Sequence, residues 1–197
     1  MTDFFTDKLL LYKVQRQRDA EAYGEFYDRY VSRIYRFIYF KVSSAPEAED
    51  LTSEVFLKTW QYLQDHTDVR NLVALTYRVA RNVVIDFYRQ RKDNASFEEV
   101  IETEDVSDLG ALVKNLEQKQ DSQKVLAAVR RLKSEYRDII LFRYVDGLSM
   151  DEISAILEKS KVGSRVLLHR AMKTLRQLIA NNGIAENNAN EKVKQNV

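Results

Sequence analysis

Residues 134–176 read SEYRDIILFRYVDGLSMDEISAILEKSKVGSRVLLHRAMKTLR and carry the clearest structural pattern in the chain. Apolar residues at helical spacing stop at Asp146-Gly147, a pair that terminates helices because glycine takes the left-handed backbone conformation at no steric cost. Ser149 and Glu152 then form a capping box, which predicts the start of a second helix. A break at 158–160 separates it from a third, basic helix. Two short helices joined by a tight turn form the helix-turn-helix pattern.

The third helix is expected to bury its apolar residues and to present its basic ones. Its predicted inner face comprises Val162, Val166, Leu168, Ala171, Leu175 and Leu178. Six basic residues and no acid lie between Lys159 and Ala185, and phosphate affinity depends largely on such charge through the release of counterions. An ordinary three-helix core with a solvated basic face has the same charge pattern, but here cap, turn, apolar stripe and charge fall in register. DNA binding is therefore the preferred interpretation of this segment.

The composition favours an all-α protein with two small cores. Of the 197 residues, five are glycine and one is proline, so helices can propagate over long runs. The absence of cysteine from the sequence excludes disulfides and thiolate metal sites. No apolar run approaches the roughly 18 residues of a membrane span, and the N-terminus lacks the features of a signal peptide. We therefore expect a cytoplasmic protein with no direct membrane insertion.

Two helices of opposite charge are predicted in the N-terminal half. Acids crowd the first turns of segment 47–63, where they either complement the helix dipole on a solvated surface or form a docking surface for a basic partner. The expected inner residues of this segment are Leu51, Val55, Phe56, Leu57, Trp60 and Leu63. Segment 72–92 presents basic residues against a single acid, Asp86, and Asn82 adds an amide that can form paired hydrogen bonds with adenine. The chain therefore holds a second basic helix.

An acidic segment separates these two parts of the chain. Between residues 93 and 113 there are seven acids and no Lys or Arg, and no apolar periodicity survives, which indicates an extended linker. After Ala180 the sequence is asparagine-rich without a pattern, which indicates a disordered tail. The predicted organisation is a helical domain at 1–92, a linker at 93–120, a helix-turn-helix domain at 121–180 and a tail at 181–197.

Three ordered motifs give the chain a resemblance to a known family. AEDLTSEVFLKTW at 48–60, YRVARNVVIDFYRQRK at 77–92, and YRDIILFRYVDGLSMDEISAIL with LLHRAMKTLR within 136–176 resemble bacterial RNA polymerase sigma factors. The two-domain length resembles the extracytoplasmic-function (ECF) subfamily of the sigma-70 family. This resemblance implies an all-α fold in which a sigma region 2 helical bundle and a sigma region 4 helix-turn-helix are joined by the acidic linker.

The resemblance also implies partners. Asp50, Glu54 and Phe56 occupy the motif that docks on the clamp helices of the largest subunit of core RNA polymerase, and the flap region of the polymerase is a second expected contact. Promoter DNA is implied at the two basic helices, and an anti-sigma factor is implied as an inhibitory partner. No cofactor is expected.

Two sets of DNA-contacting residues follow from the same motifs. Those implied at the start-proximal (minus ten) promoter element are Arg81, Asn82, Asp86 and Arg89. Those implied at the upstream (minus thirty-five) element are Lys161, Ser164, Arg165 and His169. The connector at 64–71 corresponds to the loop that captures a flipped-out base in this family. The chain departs from the family pattern at Leu75, where tryptophan is common, and at Glu158, where a turn glycine is usual.

A sigma factor that performs no covalent chemistry is the preferred hypothesis. The alternative is a stand-alone transcription regulator in which an N-terminal helical sensing domain is tethered to a helix-turn-helix. It explains the C-terminal segment equally well but leaves the acidic and basic N-terminal helices unexplained. An enzyme has little support, because His66 and His169 lie far apart in the sequence and lack a cysteine or carboxylate at metal-ligand spacing.

Overall fold

A computed structural model describes the backbone at residues 2–94, 125 and 127–194, and the side chains at residues 6–91, 125 and 127–180. Every regular element in these ranges is a helix, as the composition predicts. The helices are α1 (Thr2–Gln17), α2 (Ala20–Val42), α3 (Ala45–Asp65), α4 (Leu72–Asn94), α5 (Ser134–Ile140), α6 (Met150–Leu157) and α7 (Lys161–Lys194). The chain divides into two compact units, one centred on α1–α4 and the other on the later helices. The expected all-α fold with two helical domains is therefore confirmed.

α2 is the central helix of the N-terminal unit, since it packs against α1, α3 and α4. It begins after Asp19, whose carboxylate accepts a hydrogen bond from the Ala22 N–H at 3.0 Å and so satisfies one amide of the first turn. It ends at Ser43, which adopts a φ of 58° while its N–H donates to the Tyr39 carbonyl at 2.9 Å. The buried side of α2 includes Phe26, Tyr30, Ile34, Phe37 and Ile38. The neighbouring helices pack on this apolar stripe.

α3 carries Pro46 in its first turn, where an absent N–H removes no helical hydrogen bond. Most of its predicted inner residues are buried, namely Leu51, Val55, Phe56 and Leu63. Leu57 is 56% exposed, so its inward assignment is wrong. The reason is geometric: position 57 lies about 100° around the helix from Phe56 and falls outside the buried arc.

α4 is fixed at both ends. The side-chain oxygen of Asn71 accepts a hydrogen bond from a first-turn amide at 2.8 Å. Near the other end, the Tyr88 hydroxyl donates to the Lys41 carbonyl at 2.5 Å. Arg91 forms a salt bridge of 3.2 Å with Glu47 at the start of α3. These contacts hold the C-terminal half of α4 against the end of α2 and the beginning of α3.

In the C-terminal unit, local interactions set both ends of α5. The guanidinium of Arg137 donates to the carbonyls of Arg130 at 2.6 Å and Leu132 at 3.2 Å, which fixes the turn before the helix. α5 then passes into a π-helical turn at Leu141–Val145. The chain turns at Asp146-Gly147, where the glycine takes a φ of 68°. The predicted helix terminator is therefore confirmed.

α6 starts with the predicted capping box. The Ser149 N–H donates to Glu152 Oε2 at 2.7 Å, and the Glu152 N–H donates to Ser149 Oγ at 3.2 Å. The helix ends with a bond from the Lys159 N–H to the Ser154 carbonyl at 3.1 Å, the pattern of a Schellman motif. Glu158 takes a φ of 53° at the position where this motif usually holds glycine. The tight turn therefore forms around a left-handed glutamate.

The buried face of α7 differs from the prediction. Val162 and Val166 are 69% and 45% exposed, so their inward assignment is wrong. Ala171 and Leu175 are buried as predicted, and Ser164 and Leu167 are buried although the prediction did not include them. The Ser164 hydroxyl lies 3.1 Å from the Ser154 hydroxyl on α6, so the two helices meet at a pair of small side chains. Close packing at this crossing orients α7 and turns the two valines outward.

Two predictions concern segments near the limits of the described chain. Residues 95–120 of the predicted linker lie outside the described residues. The backbone of α7 is helical to Lys194, so the prediction of a disordered tail is wrong for residues 181–194. That segment contains no proline, so a helix can propagate from the packed part of α7. The predicted domain boundaries stay a prediction.

Candidate functional site

The first candidate surface lies on α3 and consists of Asp50, Glu54 and Leu57; we call it the α3 surface. Asp50 is exposed, and Glu54 forms a partly exposed salt bridge of 2.6 Å with Lys58. Leu57 is exposed on the same face of α3, because it follows Glu54 by three positions and Glu54 follows Asp50 by four. The α3 surface is thus an exposed leucine beside two acids. Leu57 was predicted to be buried because it is hydrophobic. Its spacing from Asp50 and Glu54 nevertheless places it on the same exposed face as these two acids.

Phe56 does not belong to the α3 surface. It is 3% exposed, and its ring lies 4.7 Å from the ring of Tyr27 and 6.2 Å from that of Phe26. Its carbonyl also accepts a hydrogen bond from the Tyr23 hydroxyl at 2.6 Å. The ring cannot reach a partner while it is packed in this way, so the implied polymerase contact of Phe56 is not retained. Phe56 instead anchors α3 on α2.

The second surface lies on α4 and consists of Asn82, Ile85, Asp86 and Arg89; we call it the α4 surface. All four side chains are exposed, and their spacing places them on one face. Arg81, which the resemblance assigned to the same contact, is half-buried at the edge of this face. Ile85 is 58% exposed and was not identified from the sequence. Three of the four predicted residues therefore lie together on an accessible face.

The connector between α3 and α4 is shorter than predicted, because α3 continues to Asp65. His66 follows directly, and its ring stacks on that of Tyr62 at 3.9 Å with an interplanar angle of 3°. His66 Nδ1 lies 3.0 Å from the Tyr62 carbonyl oxygen, and Gln15 Nε2 donates to the His66 carbonyl at 3.4 Å. An aromatic pair therefore marks the start of the connector, at the end of α3.

The third surface lies on α7 and consists of Lys161, Val162, Arg165, Val166 and His169; we call it the α7 surface. All five side chains are exposed. The three basic or polar ones recur at every fourth residue, and the valines follow them one position later. Three of the four residues that the resemblance assigned to the upstream element are therefore on one accessible face.

Ser164 is the exception among the residues assigned to DNA. Its exposure is 0%, and its hydroxyl faces Ser154 on α6 rather than the surface. A base contact by this side chain requires the two helices to separate, so the assignment is not retained. Ser164 acts in the packing of the helix-turn-helix. Its burial follows from the position of α6, whereas the next residue, Arg165, is exposed.

Two lysines, one just before α7 and one at its first residue, form ion pairs with acids in the same unit. Lys161 Nζ lies 2.7 Å from Asp151 Oδ1 on α6, and Lys159 Nζ lies 3.0 Å from Glu135 Oε1 on α5. All four side chains are largely exposed, so these pairs are weak and compete with solvent ions. The acids therefore offset part of the positive charge at the N-terminal end of α7.

Among the described residues, no group of three or more His, Asp or Glu side chains is placed to hold a metal ion. None of the described helices is both long enough and apolar enough to span a bilayer.

Comparison with known proteins identifies the family. Residues 26–94 match the family model of Sigma-70 region 2, and residues 122–175 match that of Sigma-70, region 4. The ECF RNA polymerase sigma factor BldN of Streptomyces coelicolor is 30% identical over 166 residues, which cover 82% of this chain and 61% of that protein. The chain belongs to the ECF sigma factors. Another relative, SigW of Bacillus subtilis, is 27% identical to this sigma factor, with 84% of this chain and 92% of that protein covered.

Two solved structures share the fold of this sigma factor. CnrH, solved in complex with the cytosolic domain of CnrY, is 20% identical with a TM-score of 0.65, over 89% of this chain and 98% of that one. The sigma factor RpoE from Bartonella quintana, solved with the anti-sigma factor NepR, is 20% identical with a TM-score of 0.58, over 80% and 96% of the two chains.

Membership of this family settles the choice between the two hypotheses for the chain. Sigma factors are DNA-binding proteins that direct transcription initiation, and the family matches include both the α3–α4 segment and the helix-turn-helix. A stand-alone regulator is not favoured, because it leaves the region 2 match unexplained.

Proposed function

We propose that this sigma factor binds core RNA polymerase through the α3 surface and directs it to promoters through the α4 and α7 surfaces. The observation that carries the proposal is the separation of charge along the fold. The α3 surface is acidic, while exposed arginines lie on α4 and α7. The acidic α3 surface is therefore the proposed contact of a protein partner, and the basic residues of α4 and α7 are the proposed contacts of nucleic acid.

Docking on polymerase relies on Leu57 as well as on Asp50 and Glu54. An exposed apolar side chain with charged neighbours has the composition of a small interface core inside a polar rim. The clamp helices of the largest polymerase subunit are the proposed docking site of the α3 surface, and the flap region is the proposed contact of the C-terminal unit. The acids favour encounter with a basic partner, while the leucine supplies buried apolar area.

Leu57→Ala tests this docking mode. We expect the affinity for core polymerase to fall by about tenfold, as for a moderate interface hot spot. Leu9→Ala is the matched control, since Leu9 on α1 has a similar exposure of 54% against 56% for Leu57. Affinity is measured by fluorescence anisotropy of the labelled full-length chain with purified core polymerase. Equal affinities of the two variants would contradict a docking role for Leu57.

Promoter contact is divided between the two units. On the α4 surface, Asn82 and Arg89 are the proposed contacts to the start-proximal element, with the amide suited to adenine and the guanidinium to phosphate or guanine. The connector that begins at His66 is proposed to receive an extruded base and so to assist melting, because extrusion costs about a few kcal/mol when no pocket receives the base. On the α7 surface, Arg165 and His169 contact the upstream element. Two modest affinities joined in one chain then give a useful total affinity.

Regulation by an anti-sigma factor is also proposed. RpoE from Bartonella quintana was solved with such a partner, the anti-sigma factor NepR. An inhibitor of this kind would act by covering the surfaces that otherwise contact polymerase and DNA. We place both the active and the inhibited sigma factor in the cytoplasm, where polymerase and chromosomal DNA are found.

In vitro transcription tests the function as a whole. Purified core polymerase is combined with the full-length chain on a library of genomic fragments, and the transcripts are sequenced. We expect promoter-specific transcripts that share two sequence elements and depend on the added chain. Failure to assemble with core polymerase, even at low ionic strength, would refute the proposal.

The role of α7 is tested by variants of the same chain. Arg165→Ala should weaken upstream-element binding by about 1–3 kcal/mol if the guanidinium contacts a base. Lys133→Ala, which removes an exposed lysine before α5, is the control for loss of one positive charge. An unchanged promoter footprint with Arg165→Ala would remove Arg165 from the contact.

A further inference from the structure

Two valines occupy the middle of an otherwise basic helix face. Val162 and Val166 are 69% and 45% exposed and lie four positions apart, so they are stacked one turn apart on the same side of α7. The opposite side of α7 is packed through Ser164, Leu167 and Ala171. The valines are therefore directed away from the core by the packing of the helix-turn-helix itself.

The surroundings of these valines indicate a polyanionic partner. Arg165, His169 and Arg170 are exposed next to them, and the sequence has no acid from Lys159 to Ala185. A protein surface that complements this face would need to be strongly acidic, whereas DNA supplies the negative charge through its phosphates. The valines themselves can neither donate nor accept a hydrogen bond, so they cannot read the polar edges of bases.

The major groove offers one apolar group that distinguishes bases, the 5-methyl group of thymine. In a helix-turn-helix the N-terminal residues of the recognition helix contact base edges, and Val162 and Val166 lie in the first two turns of α7. β-branched side chains also have few rotamers, so valine loses little side-chain conformational entropy when it contacts a methyl group.

We propose that Val162 and Val166 are specificity-determining residues that contact thymine 5-methyl groups in the upstream promoter element. The proposal rests on the proposed function, since it requires α7 to enter the major groove. The valines are separated by about 6 Å along the helix axis. Neighbouring base pairs are about 3.4 Å apart, so the two valines can span at most about two base-pair steps. The upstream element is therefore expected to hold thymines, on either strand, at positions no more than a few steps apart.

Replacement of thymine by uracil tests this directly, because uracil lacks only the methyl group. Binding sites are first selected from random DNA with the full-length chain assembled on core polymerase. Each thymine of the selected upstream element is then replaced by uracil in turn, and affinity is measured. We expect one or two positions at which uracil weakens binding by about fourfold, the effect of one buried methyl group. Other thymines should tolerate the change.

Variants of the chain assign the effect to the valines. Val162→Ala and Val166→Ala should each lose the preference for thymine over uracil at one position and retain it elsewhere. Both residues are exposed, and alanine favours helix more than valine does, so both variants should fold. Val145→Ala is the control, because Val145 is 37% exposed but lies outside α7, and it should keep the full preference.

The outcomes separate this proposal from the proposed function. If the assembly selects no DNA sequence, the proposed function fails and the methyl contacts fail with it. If the assembly selects promoters but binds thymine and uracil equally, the function stands and the valine proposal is overturned. It is also overturned if the valine variants keep the thymine preference, or if they weaken binding of a protein partner while DNA affinity stays unchanged.

Discussion

Replacement of Glu158 by glycine should stabilise the helix-turn-helix formed by α6 and α7, because Glu158 occupies a backbone conformation that glycine prefers. The residue has a φ of 53° and forms the left-handed end of α6, where the Lys159 N–H bonds to the Ser154 carbonyl at 3.1 Å. The fold needs this conformation at the turn between α6 and α7, and the sequence supplies a residue with a Cβ atom there.

Two opposing contributions set the size of the effect. A left-handed conformation costs an L-residue about 1–2 kcal/mol. Glycine loses about 0.5–1 kcal/mol more chain entropy on folding than alanine does. The net gain in free energy of unfolding is therefore about 1 kcal/mol for Glu158→Gly relative to Glu158→Ala. Alanine is the appropriate reference, because both variants lack the carboxylate and every interaction it makes.

Hydrogen exchange in the full-length chain provides the measurement. Amides of α6 and α7 that exchange through unfolding of the helix-turn-helix should be about fivefold more protected in Glu158→Gly than in Glu158→Ala, since 1.4 kcal/mol corresponds to a factor of ten. Amides of α2 and α3 serve as an internal reference and should not change. The comparison therefore isolates the effect on the helix-turn-helix that contains the substituted residue.

A second variant, Gly147→Ala, should change the protection from hydrogen exchange in the opposite direction. Gly147 has a φ of 68°, and a Cβ atom there would meet no atom within 4 Å. Gly147→Ala introduces backbone strain without a clash, so protection should fall by a factor similar to the gain in Glu158→Gly. Equal protection in Glu158→Gly and Glu158→Ala, together with a loss in Gly147→Ala, would show that Glu158 is not strained and that the estimate for it is wrong.

Two further predictions concern one buried and one exposed interaction. Tyr23→Phe removes the hydroxyl that donates to the Phe56 carbonyl at 2.6 Å, so the free energy of unfolding should fall by about 1 kcal/mol in urea titrations followed by the single tryptophan. Burial raises the pKa of Tyr23, so this loss should be constant across neutral pH, and a pH-dependent loss would contradict it. Asp151→Asn releases Lys161 from its 2.7 Å ion pair and should raise promoter affinity by about threefold at low salt, with the gain fading as salt increases. Unchanged affinity in anisotropy titrations would show that this acid does not compete with phosphate.

The features that were predicted correctly are those that depend on residues close together in the sequence. Ser149 and Glu152 satisfy each other's amides across three positions, and the glycine at 147 needs only its own backbone freedom. The charge of α4 and α7 follows from composition at helical spacing. For the same reason, the spacing of Asn82, Asp86 and Arg89 correctly placed them on one face.

The errors concern which of two adjacent positions faces the core. Phe56 and Leu57 are both apolar, and the aromatic rings of α2 select the first for burial. At α7, hydrophobicity favoured Val162 and Val166, yet the crossing with α6 buries Ser164 because a small side chain fits there. Helical periodicity leaves an uncertainty of about one position, or 100°, in the direction of a face, which is enough to exchange a core residue for a contact residue.

The amino-acid sequence alone determined the helical class, the order of the parts, the turn at Asp146-Gly147, the capped start of α6 and the sign of charge on α3, α4 and α7, because these depend on short-range hydrogen bonding and on composition. Only the tertiary structure decided which side chains of α3 and α7 are exposed, because that choice is made by the packing of residues distant in sequence. The exposure of Leu57, Val162 and Val166, and the burial of Phe56 and Ser164, are consequences of that packing.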